Sequence, residues 1–175
     1  FVGVARQAAN EAERAWKLLA SELPPPRGIV DLTLSDDADI ANGYAAQVPS
    51  NRITILLTTG AGELAVQRFD SWLRGVIVHE LAHVFHLDRA HRWWGALQTV
   101  FGRAPGLFPN GYQPSWVVEG LATYYESRFT TGGRVDSDVH AQVLAAQYGD
   151  GPQRHPWNAV FYTSWPAGWA PYAYG

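Results

Sequence analysis

Apolar residues recur at helical spacing through residues 3–22, at Val4, Ala8, Ala12, Ala15, Trp16 and Leu19, and the pattern stops before Pro24-Pro25-Pro26. This predicts a helix with one core-facing stripe. Residues 29–34 (IVDLTL) and 52–58 (RITILLT) alternate and are rich in β-branched side chains, so both read as strands, and residues 43–48 read as a second, edge-like strand. A long helix is predicted over 69–87, with Gly75 as its only Gly or Pro, and further helical turns over 92–101. The Gly-, Pro- and Asn-rich stretch 102–114 reads as a loop. A second strong helix follows over 115–128, with Ser115 in the N-cap position, and a third over 136–148, stopped by Gly149. Residues 150–175 are crowded with Gly, Pro, Trp and Tyr and show little periodicity.

Helix, strands, then helices is an α+β order, expected to give a small, mostly antiparallel sheet packed against helices. The 175 residues fit a single domain, 1–175, with neither internal repeat nor low-complexity linker. With 47% hydrophobic and 17% charged residues, the chain is no disordered tail. The net charge of −3 and the lack of a basic block give a nucleic-acid or anionic-membrane partner no electrostatic support, and no apolar run is long enough for a membrane span. The chain starts at Phe1 and contains no methionine, so it reads as a processed chain or a piece of a longer one.

Chemistry enters with the absence of cysteine, which excludes disulfides, thiolate catalysis and thiolate metal sites together and leaves His, Asp and Glu as ligand types. His79-Glu80-Leu81-Ala82-His83 is an H-E-x-x-H motif within the predicted long helix. Positions i and i+4 share a helix face, so two imidazoles reach one ion, and Glu80 beside them reaches a water held by that ion. A catalytic site of this kind needs a third protein ligand. His86 lies too far along the helix axis to converge with both rings. The spacing that places a Gly three and a ligand six residues after the second His fails, because His86 and Arg89 stand there. Glu119, 36 residues after His83 on the next strong helix, is the remaining strong candidate. Glu126 points the same way as Glu119 and reads either as a partner of a ligand or as an ion-pair partner of Arg128. Asp88 reads as an orienting group for a ligand His or as a plain helix-end charge. His86 and His91 read as packing or surface residues.

H-E-x-x-H followed by Trp116-Val117-Val118-Glu119-Gly120-Leu121-Ala122 (W-x-x-E-G-x-A) resembles the gluzincin metallopeptidases, and most closely their peptidase MA-like domains, relatives of alanyl-aminopeptidase-type enzymes. Some such domains precede TolB-type propellers in bacterial envelope proteins. Trp72-Leu73-Arg74 and His86-Leu87-Asp88-Arg89-Ala90 share in the likeness, which spans roughly residues 40–175. The resemblance implies a zincin-like fold, one Zn²⁺ held by His79, His83 and Glu119, Glu80 as catalytic base, and a periplasmic or secreted location. It implies Tyr172, in Pro171-Tyr172-Ala173-Tyr174-Gly175, as the donor to the oxyanion, with Tyr174 as the alternative. It also implies further helices, or a further C-terminal domain, after Gly175.

Two departures from the family pattern matter. Several gluzincins carry an Asp four residues after the ligand Glu; here Thr123 stands there. The strand whose Glu grips a free substrate amine in aminopeptidases corresponds to Gly43-Tyr44-Ala45-Ala46-Gln47, which has no acid. The expected function is therefore a zinc-dependent peptidase acting on a peptide or protein substrate, with cleavage within a chain favoured over aminopeptidase action. The competing expectation is a catalytically weak or idle domain that binds peptides or partner proteins on the same scaffold.

Overall fold

A computed structural model describes residues 2–37, 41–57, 63–131, 133, 138 and 142, leaving aside the side chains of 63–71. The order of elements is α1 (Val2–Ala20), β1 (Val30–Ser35), β2 (Asn42–Ala46), β3 (Asn51–Leu56), α2 (Glu63–Leu87), α3 (Trp93–Phe101), a 3-10 turn (Pro109–Tyr112) and α4 (Ser115–Phe129). Of the helix expected over 136–148, only Asp138 and Gln142 are described, and the stretch 150–175 lies outside the described residues.

Helix α2 is the centre of the molecule. It packs against α1, α4 and the strands β2 and β3. Its second half is buried on every side, with Leu73, Ile77, Val78, Leu81, Ala82, Val84 and Phe85 in the core. A helix so enclosed should be apolar all round. His79, Glu80, His83 and His86 break that rule, and all four are buried. Burying polar side chains is costly unless they are paired or bind something, so their position already marks a site.

α1 reaches α2 through small side chains, because Ala8 and Ala15 are fully buried and let the two backbones come close; Leu19 completes the stripe. The pair is locked by Trp16 edge-on to Phe85, with ring centroids 4.9 Å apart. Arg74 adds a two-pronged ion pair to Glu11, at 2.8 and 3.0 Å. α4 covers the other side of α2 with Gly120, Ala122 and Tyr125 buried. Its N-terminus differs from expectation. Pro114 occupies the cap position with no side-chain cap bond, and Ser115 is the first helical residue. Proline's fixed φ and absent N–H make it a workable helix entry without a hydroxyl cap.

The sheet has the order β1-β3-β2. β2 and β3 run antiparallel, with Gly43 opposite Ile55 and Ala45 opposite Ile53. β1 and β3 run parallel, with Leu32 opposite Ile53 and Leu34 opposite Ile55. The expected mostly antiparallel sheet is thus a mixed one. The reason lies in β3, whose inward residues Asn51, Ile53, Ile55 and Leu57 are all buried against the helices. The most apolar strand takes the centre, β2 folds back along one side of it, and β1 is left to pair in parallel on the other. Among the described residues, no helix is long and apolar enough to cross a membrane.

Candidate metal centre

One helical turn separates His79 from His83, and their rings stand nearly perpendicular with centroids 4.7 Å apart. The two Nε2 atoms lie 3.1 Å from each other. Glu119 enters from α4, its Oε2 lying 3.4 Å from His79 Nε2 and 3.5 Å from His83 Nε2. These three side chains form a group that could hold a metal ion, the single such group among the described residues. A cation bound tetrahedrally at about 2.0–2.1 Å keeps its donors roughly 3.3–3.4 Å apart. The three separations scatter closely around that value, so the donor set fits a single small cation.

Electrostatics point the same way. Burial opposes ionisation of Glu119, but hydrogen bonds to His79 and His83 and their charge outweigh it and hold its carboxyl at about 2, below the usual 4.5. Glu119 is therefore a full anion at neutral pH, aimed at two imidazole nitrogens. His79 is oriented from behind, as Glu126 Oε2 lies 3.1 Å from its Nδ1. With that carboxylate accepting, Nδ1 donates; in the neutral ring, where a cation takes the place of the Nε2 hydrogen bond to Glu119, Nε2 then carries the lone pair. Glu126 is 6% exposed. Arg128, the other partner considered for it, pairs instead with Glu22 at 2.7 Å. Thr123 is buried on α4 three residues before Glu126, yet among the described residues its hydroxyl has no partner, and neither has His83 Nδ1.

Comparison of the chain with protein-family models, curated proteins and solved structures returns no match. The reading of the site therefore rests on its own geometry.

The donor set opens into a cleft of about 310 Å³. One wall is β2, with Asn42, Gly43, Tyr44 and Ala45; the others are His79, Glu80, His83, Leu87, Val118 and Glu119. The strand comes unusually close to the helix here. A Cβ on Gly43 would stand 2.6 Å from Val76 Cγ1, 3.0 Å from Glu80 Cγ and 3.1 Å from Glu80 Oε1. Only glycine permits that approach. The bare backbone at 43 thus presses on the Glu80 side chain, which is 7% exposed beside the two histidines. A larger cleft of about 520 Å³ lies between α1 and β1, but apart from Glu13 its lining has no acid, base or ligand side chain.

The other candidates fall away from the centre. His86 is buried with Nδ1 unpartnered. Burial, then the His83 charge, pushes its pKa below 6.5, against a hydrogen bond with Gln113. Asp88 orients no ligand. Its carboxylate accepts the backbone N–H of Arg27 at 2.6 Å and the Arg103 guanidinium at 2.6 Å. His91 is exposed. Tyr172 and Tyr174 lie outside the described residues. The residues that the sequence reading did not single out are Asn42, Val118 and Leu87 in the cleft walls, and the contact of Gly43 with Glu80. A glycine within a short strand was the available signal, since it marks a close backbone approach.

Proposed function

We propose that the chain is a zinc-dependent peptidase of gluzincin type, with a zincin-like fold. The observation that carries this is the convergence of His79 Nε2, His83 Nε2 and Glu119 Oε2 at 3.1, 3.4 and 3.5 Å. Two imidazoles and one carboxylate with an open side suit Zn²⁺ in a catalytic rather than a structural role. When bound, the ion supplies Lewis-acid polarisation of a water and of the scissile carbonyl, bringing the pKa of that water to about 7.

The remaining work falls to side chains of the chain. Glu80 lies in the cleft wall next to both histidines and accepts the proton of the attacking water, then delivers it to the leaving amine. Glu126 keeps His79 in the tautomer that offers Nε2. Among the described residues, the edge strand β2 is hydrogen-bonded to β3 on one side only, and its other side can take an extended peptide by strand addition. No acid stands on β2 to grip a free substrate amine, which supports cleavage within a chain. Tyr172 keeps the oxyanion role that the resemblance implies, as does the periplasmic or secreted location.

The test is metal analysis of the purified chain with digestion of a peptide library, with and without chelator. One zinc per chain and chelator-sensitive internal cleavage are expected. Cleavage that survives complete metal removal overturns the reading.

A further inference from the structure

Helix α3 leaves much of its apolar surface exposed. Its sequence is WWGALQTVF, yet its single buried residue is the polar Gln98. Gln98 accepts a hydrogen bond from the Arg27 guanidinium and donates to the Leu107 carbonyl, which turns it inward, with Trp94, Gly95 and Leu97 half-buried on the helix beside it. Trp93, Val100 and Phe101 are 62%, 74% and 65% exposed. Their spacing, i, i+7 and i+8, puts them on one face. A helix packed on a core shows the opposite arrangement. Tyr112, just beyond, is also exposed. Among the described residues, half of the exposed large hydrophobic side chains thus fall between positions 93 and 112.

Charge is segregated in the same place. Residues 89–118 contain three Arg and one His but no Asp or Glu, in a chain with 16 acids. Arg103 is taken up by Asp88. Arg92 is exposed and Arg89 half-buried, and both flank the Trp93 end of the helix without an ion pair among the described residues. The whole-chain charge of −3 averages this feature away, so the sequence-based exclusion of an anionic-membrane partner does not extend to this local surface.

We propose that α3 docks the protein on an anionic bilayer surface, with Trp93, Val100 and Phe101 at the boundary of headgroups and acyl chains and Arg89 and Arg92 on lipid phosphates. An outward apolar face, a tryptophan at its end, and basic but no acidic neighbours are the chemistry of an interfacial helix. Three such side chains expose roughly 400 Å², about half of what each side of a stable protein pair buries. That is enough for reversible seating on lipid and small for a protein partner. The docking is independent of the metal centre.

Flotation of the whole chain with vesicles tests this, using phosphatidylglycerol–phosphatidylcholine mixtures against phosphatidylcholine alone. Binding to the mixed vesicles is expected, weakened by salt. The triple substitution Trp93→Ser, Val100→Ser, Phe101→Ser should lower the partition at least tenfold, with metal content and the thermal transition unchanged. If the triple variant loses its transition, Val100→Ser alone, at the most exposed of the three positions, should still lower it severalfold. Arg89→Gln with Arg92→Gln should cost roughly fivefold per charge on the anionic vesicles and little on the neutral ones. Absence of flotation, or equal flotation of the variants, overturns the proposal. So does a dimer that dissociates in the triple variant without any vesicle binding, which would assign the face to a second copy of the chain.

Discussion

Glu126 and His79 are buried together, 47 residues apart in sequence, with the carboxylate 3.1 Å from Nδ1. The contact decides which imidazole nitrogen faces Glu119. Removing it should loosen the donor set without deleting a donor. Glu126→Ala is expected to weaken metal binding about 10–100-fold, as for other groups that orient ligand histidines. Glu126→Gln, which keeps an acceptor oxygen, should lose less. Competition with a chromogenic chelator measures both, and equal affinities for wild type and Glu126→Ala would show that His79 needs no support.

Glu80 and Glu119 are both carboxylates in one cleft, yet they should fail differently. Glu119 is aimed at both Nε2 atoms, so Glu119→Ala should lower metal content sharply. Glu80 is not part of the donor group, so Glu80→Gln should retain the metal and lower turnover by about 10²–10⁴, the usual worth of a general base. Metal analysis beside peptide hydrolysis separates the two. A fully active Glu80→Gln enzyme would remove Glu80 from the chemistry.

Gly43 tests the strand wall. A methyl group there meets Val76 Cγ1 at 2.6 Å, closer than real contacts allow, and Glu80 Cγ at a tight 3.0 Å, so β2 or Val76 must shift and Glu80 must give by a few tenths of an ångström. Gly43→Ala is expected to cost about 1–3 kcal/mol by urea unfolding, the range for overpacking. It should also lower kcat while leaving metal content intact, because no donor is touched. Unchanged kcat would mean that Glu80 does not depend on the strand for its position.

His86 gives a pH signature. Its folded pKa lies below 6.5, so between those values the unfolded chain binds the proton more readily than the folded one. This contribution leaves stability intact above pH 6.5 and lowers it as pH falls toward the folded value. His86→Leu, measured with chelator present so that metal loss does not intervene, should lose less stability between pH 7.5 and 5 than wild type. Parallel declines would place the acid sensitivity in other groups.

How much of this was legible in the sequence follows from range. The i, i+4 pairing of His79 with His83 is local, and the helical pattern around it was strong enough to place both rings on one face. Glu119 was readable because a second strong helix carried it, and a helix carries its side chains at fixed angles. Strand direction was not readable. The alternation of IVDLTL and RITILLT tells which residues face in, and contains nothing about which neighbour each strand chooses. The exposure of Trp93, Val100 and Phe101 on α3 was equally hidden, because nothing in WWGALQTVF says which of its apolar residues stay outside until Gln98 is seen to face inward. Asp88 shows the same limit. Its nearness to His83 in sequence suggested service to the ligand, whereas its partners Arg27 and Arg103 lie 61 residues before it and 15 after it.

Asp88 is the knot of a second buried network, and its loss should be felt in the fold before the chemistry. Arg103 donates to Asp88, to the Gln47 carbonyl and to Asn51 Oδ1. Asn51 in turn donates to the Arg27 carbonyl at 3.1 Å. The end of α2 is thereby tied to the turn between β2 and β3, the same hairpin whose edge strand walls the cleft. Asp88 is 2% exposed, and removing its charge would leave Arg103 half enclosed without its counter-ion. Asp88→Ala should therefore cost about 2–4 kcal/mol, below the full penalty for a completely buried pair because Arg103 retains some solvent. Arg103→Ala should cost a similar amount and the double variant little more, since the two side chains serve one clasp. Urea unfolding of the four proteins gives the coupling energy. Strict additivity would mean that hairpin and helix are held by the apolar core alone, and that the Asp88–Arg103 pair stabilises neither.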